Sequence, residues 1–251
     1  MSWPADVPAS AHVFVDSTGA LTEALEVGGE DGHHLGRVLR LRVGETVTVA
    51  DGSGAWRPYR VSAVASDQIV RLDAIGTVDH EPVPPWRLAV AFALTKGDKP
   101  ELVVQKLTEL GVDRIVPVLA ERSVSRPDPA RADAMAERWR RIAREAARQC
   151  RRATLPAVAG LGPLAALAGH PGLVVAERGG QSAESLGRPP NDEVLVVIGP
   201  EGGLADPEVE ALKPWVRLDL GPHILRAETA ALAAGAFLAV RRLGPGGGSP
   251  T

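Results

Sequence analysis

Two apolar, strand-like segments near the C-terminus each lead directly into a glycine turn, and this repeated pattern strongly limits the possible folds. Glu193–Ile198 precedes a Gly-Pro-Glu-Gly-Gly loop, and Val216–Leu220 precedes Gly221 and Pro222. In open α/β sheets, ligands bind where strands deliver such loops at their carboxyl ends. Glycine lets the backbone of a loop come close to a ligand. The pattern therefore predicts a small-molecule site formed by two loops of one sheet.

Neither glycine loop carries a familiar nucleotide signature. The first has no Gly-Lys-Ser/Thr of a P-loop and does not have the Gly-x-Gly-x-x-Gly spacing of a dinucleotide site. An ordinary strand-to-helix turn would explain either loop alone, but the pair favours a binding site. The apolar Ile224 and Leu225 in the second loop are suited to contact a flat, uncharged ring such as adenine.

The pattern of predicted secondary structure changes at a proline-rich segment, 78–86, which we interpret as a linker. Before it, apolar and polar residues alternate over 12–76, which is typical of a β-rich module. One short helix, with Asp31 as its predicted N-cap, interrupts this pattern. After it, strands alternate with helices, which predicts a parallel α/β sheet. The predicted strands are 88–94, 114–119, 173–176, 194–198 and 216–220, and the predicted helices include 99–110 and 131–152.

Composition excludes several classes of protein. The single cysteine, Cys150, cannot form an internal disulfide framework and fits a reducing cytosol. The charge-free apolar run Ala230–Val240 is far shorter than the ~20 residues of a membrane-spanning helix. The N-terminus has no pattern of a signal peptide. We therefore expect a cytoplasmic protein without a membrane partner.

A strongly basic segment stands out against a formal net charge of −3. Between Arg131 and Arg152 the sequence has eight arginines and only three acids, with apolar residues every three or four positions. Because so few acids are local, we expect most of these guanidinium groups to lack a partner and to contact phosphates. A solvated surface helix is the simpler alternative.

Other polar residues have competing explanations. Arg226 is predicted at a helix N-terminus, where a cation is unfavourable, so it indicates an anionic partner. Glu228 nearby is explained equally well by the helix macrodipole or by catalysis. The loops Lys96–Lys99 and Glu121–Ser123 follow strands at the expected site edge, although each is equally typical of a surface loop. His33 and His34 have no second cluster with ligand spacing, so no metal is expected.

Together these motifs resemble the RsmE family of 16S rRNA (uracil-N3)-methyltransferases, which belongs to the SPOUT class. The resemblance extends from about His12 to Val240. The motifs that carry it are His34–Arg40, Lys96–Lys99, Val104–Val112, Glu121–Val124, Arg138–Arg152, Gly199–Gly203 and Leu220–Ala230. Arg148 departs from the pattern, because many relatives carry an acid there, and this leaves the role of that helix face open.

The resemblance implies an N-terminal PUA-like β-barrel at 1–77 that helps to hold RNA. It also implies a parallel-sheet α/β SPOUT domain at 84–243, with a deep trefoil knot around S-adenosylmethionine, and a flexible tail at 244–251. Family members are homodimers and methylate N3 of one uridine near the 3′ end of the small-subunit rRNA. The expected partners are therefore 16S rRNA, within the assembled or assembling small ribosomal subunit, and a second copy of the chain.

The resemblance also assigns most of the residues to these roles, and we add Ala176, Ala230, Arg144 and Glu201 from the residues themselves. The cofactor-binding residues are Ala176, Ile198, Gly199, Gly203, Leu220, Gly221, Leu225 and Ala230. The RNA-facing residues are His34, Arg37, Arg40, Lys96, Lys99, Arg122, Arg144 and Arg152. The catalytic candidates are Arg226, which would stabilise charge on the uracil, and Glu201, a weaker candidate for accepting the N3 proton.

Two alternatives to this function stay open from the sequence. Related knotted enzymes methylate the ribose 2′-oxygen of rRNA or tRNA, and this chain could do the same. The chain could also be a non-catalytic assembly factor that only binds rRNA. Two converging glycine loops argue against a pure binder, which does not need a cofactor site.

Overall fold

A computed structural model describes residues 2–15, 21–66 and 69–243 of the chain. It contains two compact units, of which the first combines Met1–Val83 with Arg144–Leu155 and the second combines Pro84–Ala143 with Pro156–Thr251. Grouping of the segment 144–155 with the N-terminal residues was not anticipated from the sequence. The sequence also predicts a hairpin turn at residues 66 and 67. Residue 67 of that turn and the expected tail at 244–251 lie outside the described residues.

The first unit is built on a six-stranded sheet with the order β1-β3-β4-β5-β2, to which β6 adds beside β4. Its strands are β1 (Ala11–Phe14), β2 (Ala24–Val27), β3 (Thr46–Ala50), β4 (Ala55–Ser66), β5 (Ile69–Ala74) and β6 (Asp79–His80). The β1–β3 pair is parallel and the other pairs are antiparallel. Alternate residues enter the core, as Val70 and Leu72 do in β5. The predicted alternation is thereby confirmed for β5, whereas β1 and β3 are buried along nearly their whole length.

A short helix, α1 (Gly29–His33), continues as one π-helical turn at His34–Val38. Its N-cap is Gly28, so the prediction of Asp31 as the N-cap is wrong. Asp31 is buried inside the helix. Its Oδ2 accepts a hydrogen bond from Arg144 at 2.8 Å, and its Oδ1 forms an ion pair with Arg148 of the same unit at 2.9 Å.

The second unit contains a seven-stranded sheet in which every neighbouring pair is parallel. The strands are β7 (Arg87–Ala93), β8 (Arg114–Leu119), β9 (Ala157–Val158), β10 (Gly162–Pro163), β11 (Leu173–Ser182), β12 (Glu193–Ile198) and β13 (Val216–Asp219). Their order is β10-β8-β7-β12-β11-β13, with β9 beside β8. The predicted parallel α/β sheet is confirmed, although the sequence did not indicate the two-residue strands or the full length of β11.

Helices cover both faces of this sheet. They are α2 (Lys99–Glu109), α3 (Pro129–Gln149), α4 (Asp206–Leu212) and α5 (Ala227–Leu243). One face packs side chains such as Phe92 and Ile115 against Leu107, Trp139 and Leu238. The opposite face has its own core, to which α4 contributes Leu212. The strand order places the loops after β8, β7, β12, β11 and β13 side by side at one edge of the sheet.

Candidate functional site

A cavity of about 260 Å³ lies at the carboxyl ends of β11, β12 and β13. The two glycine loops both line it, which confirms that they converge. All eight residues expected to bind a cofactor are among its lining residues: Ala176, Ile198, Gly199, Gly203, Leu220, Gly221, Leu225 and Ala230. The sequence therefore located the cavity, while the role of each lining residue stays a prediction.

Backbone conformation explains two of the glycines in these loops. Gly203 has a φ of 71° and Gly221 a φ of 134°, both in the region that side-chain-bearing residues rarely adopt. A side chain at either position would strain the backbone, so glycine suits both turns.

A third wall of the cavity comes from an excursion of β11 that the sequence did not indicate. Ala176 and Gln181 both pair with Leu218 of β13, so residues 177–180 leave the ladder between them. Glu177 and Arg178 on this excursion line the cavity. The only sequence signal was the Gly-Gly pair at 179–180, which lay beyond the predicted end of the strand at 176.

Asp219 connects two of these walls, and the sequence did not indicate this role. Its Oδ1 accepts a hydrogen bond from the Gly221 amide and its Oδ2 accepts one from the Gly179 amide, each at 2.9 Å. Both bonds lower the pKa of the Asp219 carboxyl below its usual value, and the bond from Gly221 has the larger effect. The ionised carboxylate thus joins the β11 excursion to the loop after β13.

The cavity combines apolar surface with charged side chains. Three carboxylates line it, those of Glu177, Glu201 and Asp219, with one guanidinium, that of Arg178. Cations outside the lining lie beside two of these carboxylates: Arg217 is 3.1 Å from Glu177 and Lys99 is 3.6 Å from Glu201. Leu225 is half-buried at the wall, whereas Ile224 is 84% exposed. Such a lining suits a ligand that has a flat apolar part and a positive charge.

A charged cluster lies beside the cavity and includes one of its lining residues. The Lys99 Nζ is 3.3 Å from Glu228 Oε1 and 3.6 Å from Glu201 Oε1. Burial alone would raise the pKa of Glu228, but hydrogen bonds from its own backbone amide and from Lys99 outweigh burial and lower it. Glu228 is therefore a stabilised carboxylate at the N-terminus of α5.

Arg226 lies immediately before α5, and its side chain is exposed. Within the part of the chain that the structure describes, its guanidinium makes no hydrogen bond or ion pair, although its charge contributes to lowering the pKa of Glu228. No acid among the described residues therefore forms an ion pair that would make Arg226 a structural brace. The side chain is available to an external anion.

The expected RNA-facing residues of the second unit differ in their surroundings. Lys96 is exposed, whereas Lys99 belongs to the charged cluster. Arg122 is exposed but donates from Nη1 to the Gly202 carbonyl at 2.7 Å. Two of these three cations thus contact the first glycine loop.

The expected RNA-facing residues of the first unit divide in the same way. Arg37 and Arg40 are exposed, and His34 is half-buried, with its pKa lowered by burial and then by the charge of Arg148. Arg144 pairs with Asp31 and its guanidinium lies 5.2 Å from the centre of the Phe14 ring. Arg152 is buried, with 9% of its surface exposed.

The expectation that most arginines of the basic segment lack a partner is wrong. Acids from distant parts of the chain supply the missing partners: Asp31 pairs with Arg144 and Arg148, and Glu101 pairs with Arg138 at 2.8 Å. Arg140 pairs with the local acid Glu137, and Arg151 donates to the carbonyls of Val7 and Ala9. Arg131 and Arg141 are exposed and form no ion pair with any described residue. A count of local acids cannot detect partners that folding brings in.

A buried histidine connects to the end of the same segment. His12 Nδ1 lies 2.8 Å from Thr48 Oγ1, and its Nε2 lies 3.1 Å from the carbonyl oxygen of Arg152. Burial, together with the charges of Arg151 and Arg148, lowers the pKa of His12 to about 4. His12 is therefore a neutral structural residue at neutral pH.

The described residues contain no group of three or more His, Cys, Asp or Glu side chains that could hold a metal ion. None of their helices is long and apolar enough to span a membrane.

Comparison with known proteins places the chain in a family. Residues 82–239 match the RNA methyltransferase domain family, and residues 27–72 match the RNA methyltransferase PUA domain family. The chain is 35% identical over 222 residues to ribosomal RNA small subunit methyltransferase E of Bacillus subtilis, covering 83% of this chain and 86% of that protein. It is 34% identical over 235 residues to the protein of the same name from Mycobacterium tuberculosis, covering 88% of each.

Solved structures agree with this result. A crystal structure of ribosomal RNA small subunit methyltransferase E from Neisseria gonorrhoeae, bound to S-adenosyl methionine, superposes with a TM-score of 0.80 at 26% identity. The match covers 92% of this chain and 97% of that one. The N-terminal unit is accordingly a PUA-like sheet domain, and the second unit is the methyltransferase domain. The chain belongs to the ribosomal RNA small subunit methyltransferase E family.

Proposed function

We propose that this protein transfers a methyl group from S-adenosylmethionine to N3 of a specific uridine in 16S rRNA. One observation carries the proposal: two glycine loops and the β11 excursion enclose one cavity in the methyltransferase domain. The relative from Neisseria gonorrhoeae binds S-adenosyl methionine, and the relatives from Bacillus and Mycobacterium are named for small-subunit rRNA methylation.

The residues around the cavity fit this cofactor. Its adenine is flat and uncharged, which suits the apolar side chains of Leu220, Ile224 and Leu225. Its sulfonium is a cation, which suits a lining with three carboxylates and one guanidinium. When bound, the cofactor supplies an electrophilic methyl group, so no covalent intermediate on the protein is needed.

The protein must also make N3 of the uracil nucleophilic. N3 carries a weakly acidic proton and becomes a good nucleophile only as that proton leaves. Arg226, exposed and without a described partner, is our candidate for stabilising the negative charge that develops on the ring. Glu201 lines the cavity and is our candidate for accepting the proton, directly or through water. Because N3 takes part in base pairing, the target uridine must be unpaired or extruded.

Exposed cations of each unit are our candidates for holding the RNA. They are Arg37 and Arg40 in the first unit and Lys96, Arg131 and Arg141 in the second. Their guanidinium and ammonium groups have no ion-pair partner in the described chain and are open to phosphates. Arg144 and Arg152 were expected to serve the same purpose, but their pairing and burial favour a structural role.

We further propose that the protein acts as a homodimer in the cytoplasm, where its rRNA substrate is made. Helix α5 buries one face, formed by residues such as Ala231, Ala234 and Leu238. Its other face is small and apolar, and there Val240 is 73% exposed. A helix that is apolar nearly all round requires cover on both faces. Light scattering at micromolar concentration should give a dimer mass, and Val240→Glu should shift it toward a monomer.

Two measurements test the proposed activity. Calorimetry should detect binding of S-adenosylmethionine to the purified protein, which a purely RNA-binding assembly factor would not show. Reverse transcription of 16S rRNA should stop at N3-methyluridine in the wild-type strain and read through in a strain lacking the gene. A stop that persists without the gene would exclude the proposed reaction, and loss of a ribose 2′-O-methyl mark instead would identify the alternative activity.

A further inference from the structure

The first glycine loop, Gly199–Gly203, is held from two neighbouring loops by cations. Lys99, at the start of α2, lies 3.6 Å from the carboxylate of Glu201. Arg122, in the loop after β8, donates to the carbonyl oxygen of Gly202 at 2.7 Å. The order β8-β7-β12 places these three loops next to one another. Lys99 therefore contacts a lining residue of the cavity, and Arg122 contacts the loop that carries this residue.

We infer that Lys99 and Arg122 are positioning residues that hold this loop in its cofactor-binding conformation. This inference rests on the proposed function, because it assigns the cavity to S-adenosylmethionine. It changes the expected role of two residues that the family resemblance placed against RNA. Neither residue needs to touch the substrate for its replacement to weaken the site.

The surroundings of Lys99 support this assignment. Its ammonium group lies within 4 Å of two carboxylates, those of Glu201 and Glu228, and its side chain is only 33% exposed. The charge of Lys99 is thus already balanced within the protein, and a phosphate would have to compete with both acids. Since Glu201 lines the cavity, the lysine fixes a cavity residue against the N-terminus of α5.

Arg122 is part of a second connection between the same loops. The carboxylate of Glu208 accepts one hydrogen bond from the Glu121 amide at 2.8 Å and another from the Ala205 amide at 2.9 Å. Together with the bond from Arg122, it joins the loop after β8 to the glycine loop and to the segment that follows that loop. A loop that is ordered before the ligand arrives loses less conformational entropy on binding, and this raises affinity.

Lys96 provides a matched control. It lies in the same loop as Lys99 and carries the same charge, but it is exposed and has no ion-pair partner among the residues that the structure describes. If the two lysines served only to attract RNA, replacing either would leave cofactor binding unchanged when no RNA is present. If Lys99 positions the loop, the two variants will differ in that measurement.

The experiment is calorimetric titration of the full chain with S-adenosylmethionine in the absence of RNA. We expect Lys99→Met and Arg122→Met each to weaken binding roughly threefold to tenfold, the range for one partly exposed charged contact plus loss of loop order. We expect Lys96→Met to bind as the wild type does. Wild-type affinity in both the Lys99→Met and Arg122→Met variants would overturn the inference. Failure of the wild type itself to bind would instead contradict the proposed function.

A double-mutant cycle separates positioning from a general loss of stability. If Lys99 acts through Glu201, the effect of Lys99→Met on cofactor affinity should largely disappear in a Glu201→Gln background. Full additivity of the two effects would overturn the inference, because it would mean that the lysine acts elsewhere. The conservative variant Lys99→Arg keeps the charge and should recover most of the affinity.

Discussion

The cavity and the basic segment make an instructive pair, because the same kind of reasoning succeeded at one and failed at the other. At the cavity, two glycine turns after apolar strands predicted converging loops, and the structure brings them together around one space. In the segment 131–152, an excess of arginine predicted unpaired cations, and the structure pairs several of them. Backbone patterns fix where a loop lies, whereas charge counts ignore partners that arrive from distant residues.

The largest effect should come from Arg226, which tests whether the cavity performs the proposed chemistry. Arg226→Ala should reduce the single-turnover rate roughly 10²–10³-fold, by analogy with loss of one oxyanion donor, and should leave cofactor affinity nearly unchanged. Arg226→Lys should recover little, because a point charge cannot reproduce a planar two-pronged contact. The melting temperature, cofactor affinity and rate should be measured on one preparation. A near-normal rate in the Ala variant would remove Arg226 from the mechanism.

His12 should make the stability of the protein depend on pH. Its pKa falls from 6.5 to about 4 on folding, so the unfolded chain binds a proton more readily between these values. Stability should therefore decrease as the pH falls from about 6.5 to 4, and this residue contributes a loss on the order of 3 kcal/mol.

Chemical denaturation at several pH values measures this effect, with His12→Gln as the comparison. The variant should lose the part of the pH dependence that is due to the histidine, while the carboxylates common to both proteins cancel in the difference. Identical pH profiles for the two proteins would show that the buried imidazole is not responsible.

The arginines that pair with Asp31 should matter for stability rather than for RNA. Arg148→Met removes one of two cations from a carboxylate that is 8% exposed, and should lower the free energy of unfolding by about 1–3 kcal/mol. Arg141→Met, on an exposed side chain of the same helix, should change stability by less than about 0.5 kcal/mol. Equal stability in the two variants would contradict the distinction between paired and exposed arginines.

The smallest effects concern RNA affinity, which should fall steeply as salt increases. Each phosphate contact released by Arg131→Ala or Arg141→Ala should reduce the slope of log K against log[salt] by about 0.7–0.9. Filter binding to 16S rRNA across a salt series measures this slope, with Arg138→Ala, whose side chain pairs with Glu101, as the control. If affinity proved independent of salt, phosphate contact by this helix would have to be abandoned.

Much of the fold was predictable because it rests on local periodicity. The strand at 114–119 and the start of the helix at Lys99 agree with the structure, since an apolar run or a helical period reports burial directly. The excursion at 177–180 was not predictable, because its shape depends on how β11 pairs with β13. Asp219 was missed for a related reason: one of its two hydrogen-bond donors, Gly179, is forty residues away in the chain.

The sequence by itself determined the parallel sheet, the two glycine loops and the family to which the chain belongs. Each of these can be predicted from a short stretch of residues, because the spacing of residues in one strand, turn or helix follows the geometry of that element. Only the tertiary structure decided which charges are free, because ion pairs such as Arg144 with Asp31 or Lys99 with Glu228 join residues more than a hundred positions apart. Electrostatic interactions depend on distance in space, and sequence separation gives no measure of that distance until the chain has folded.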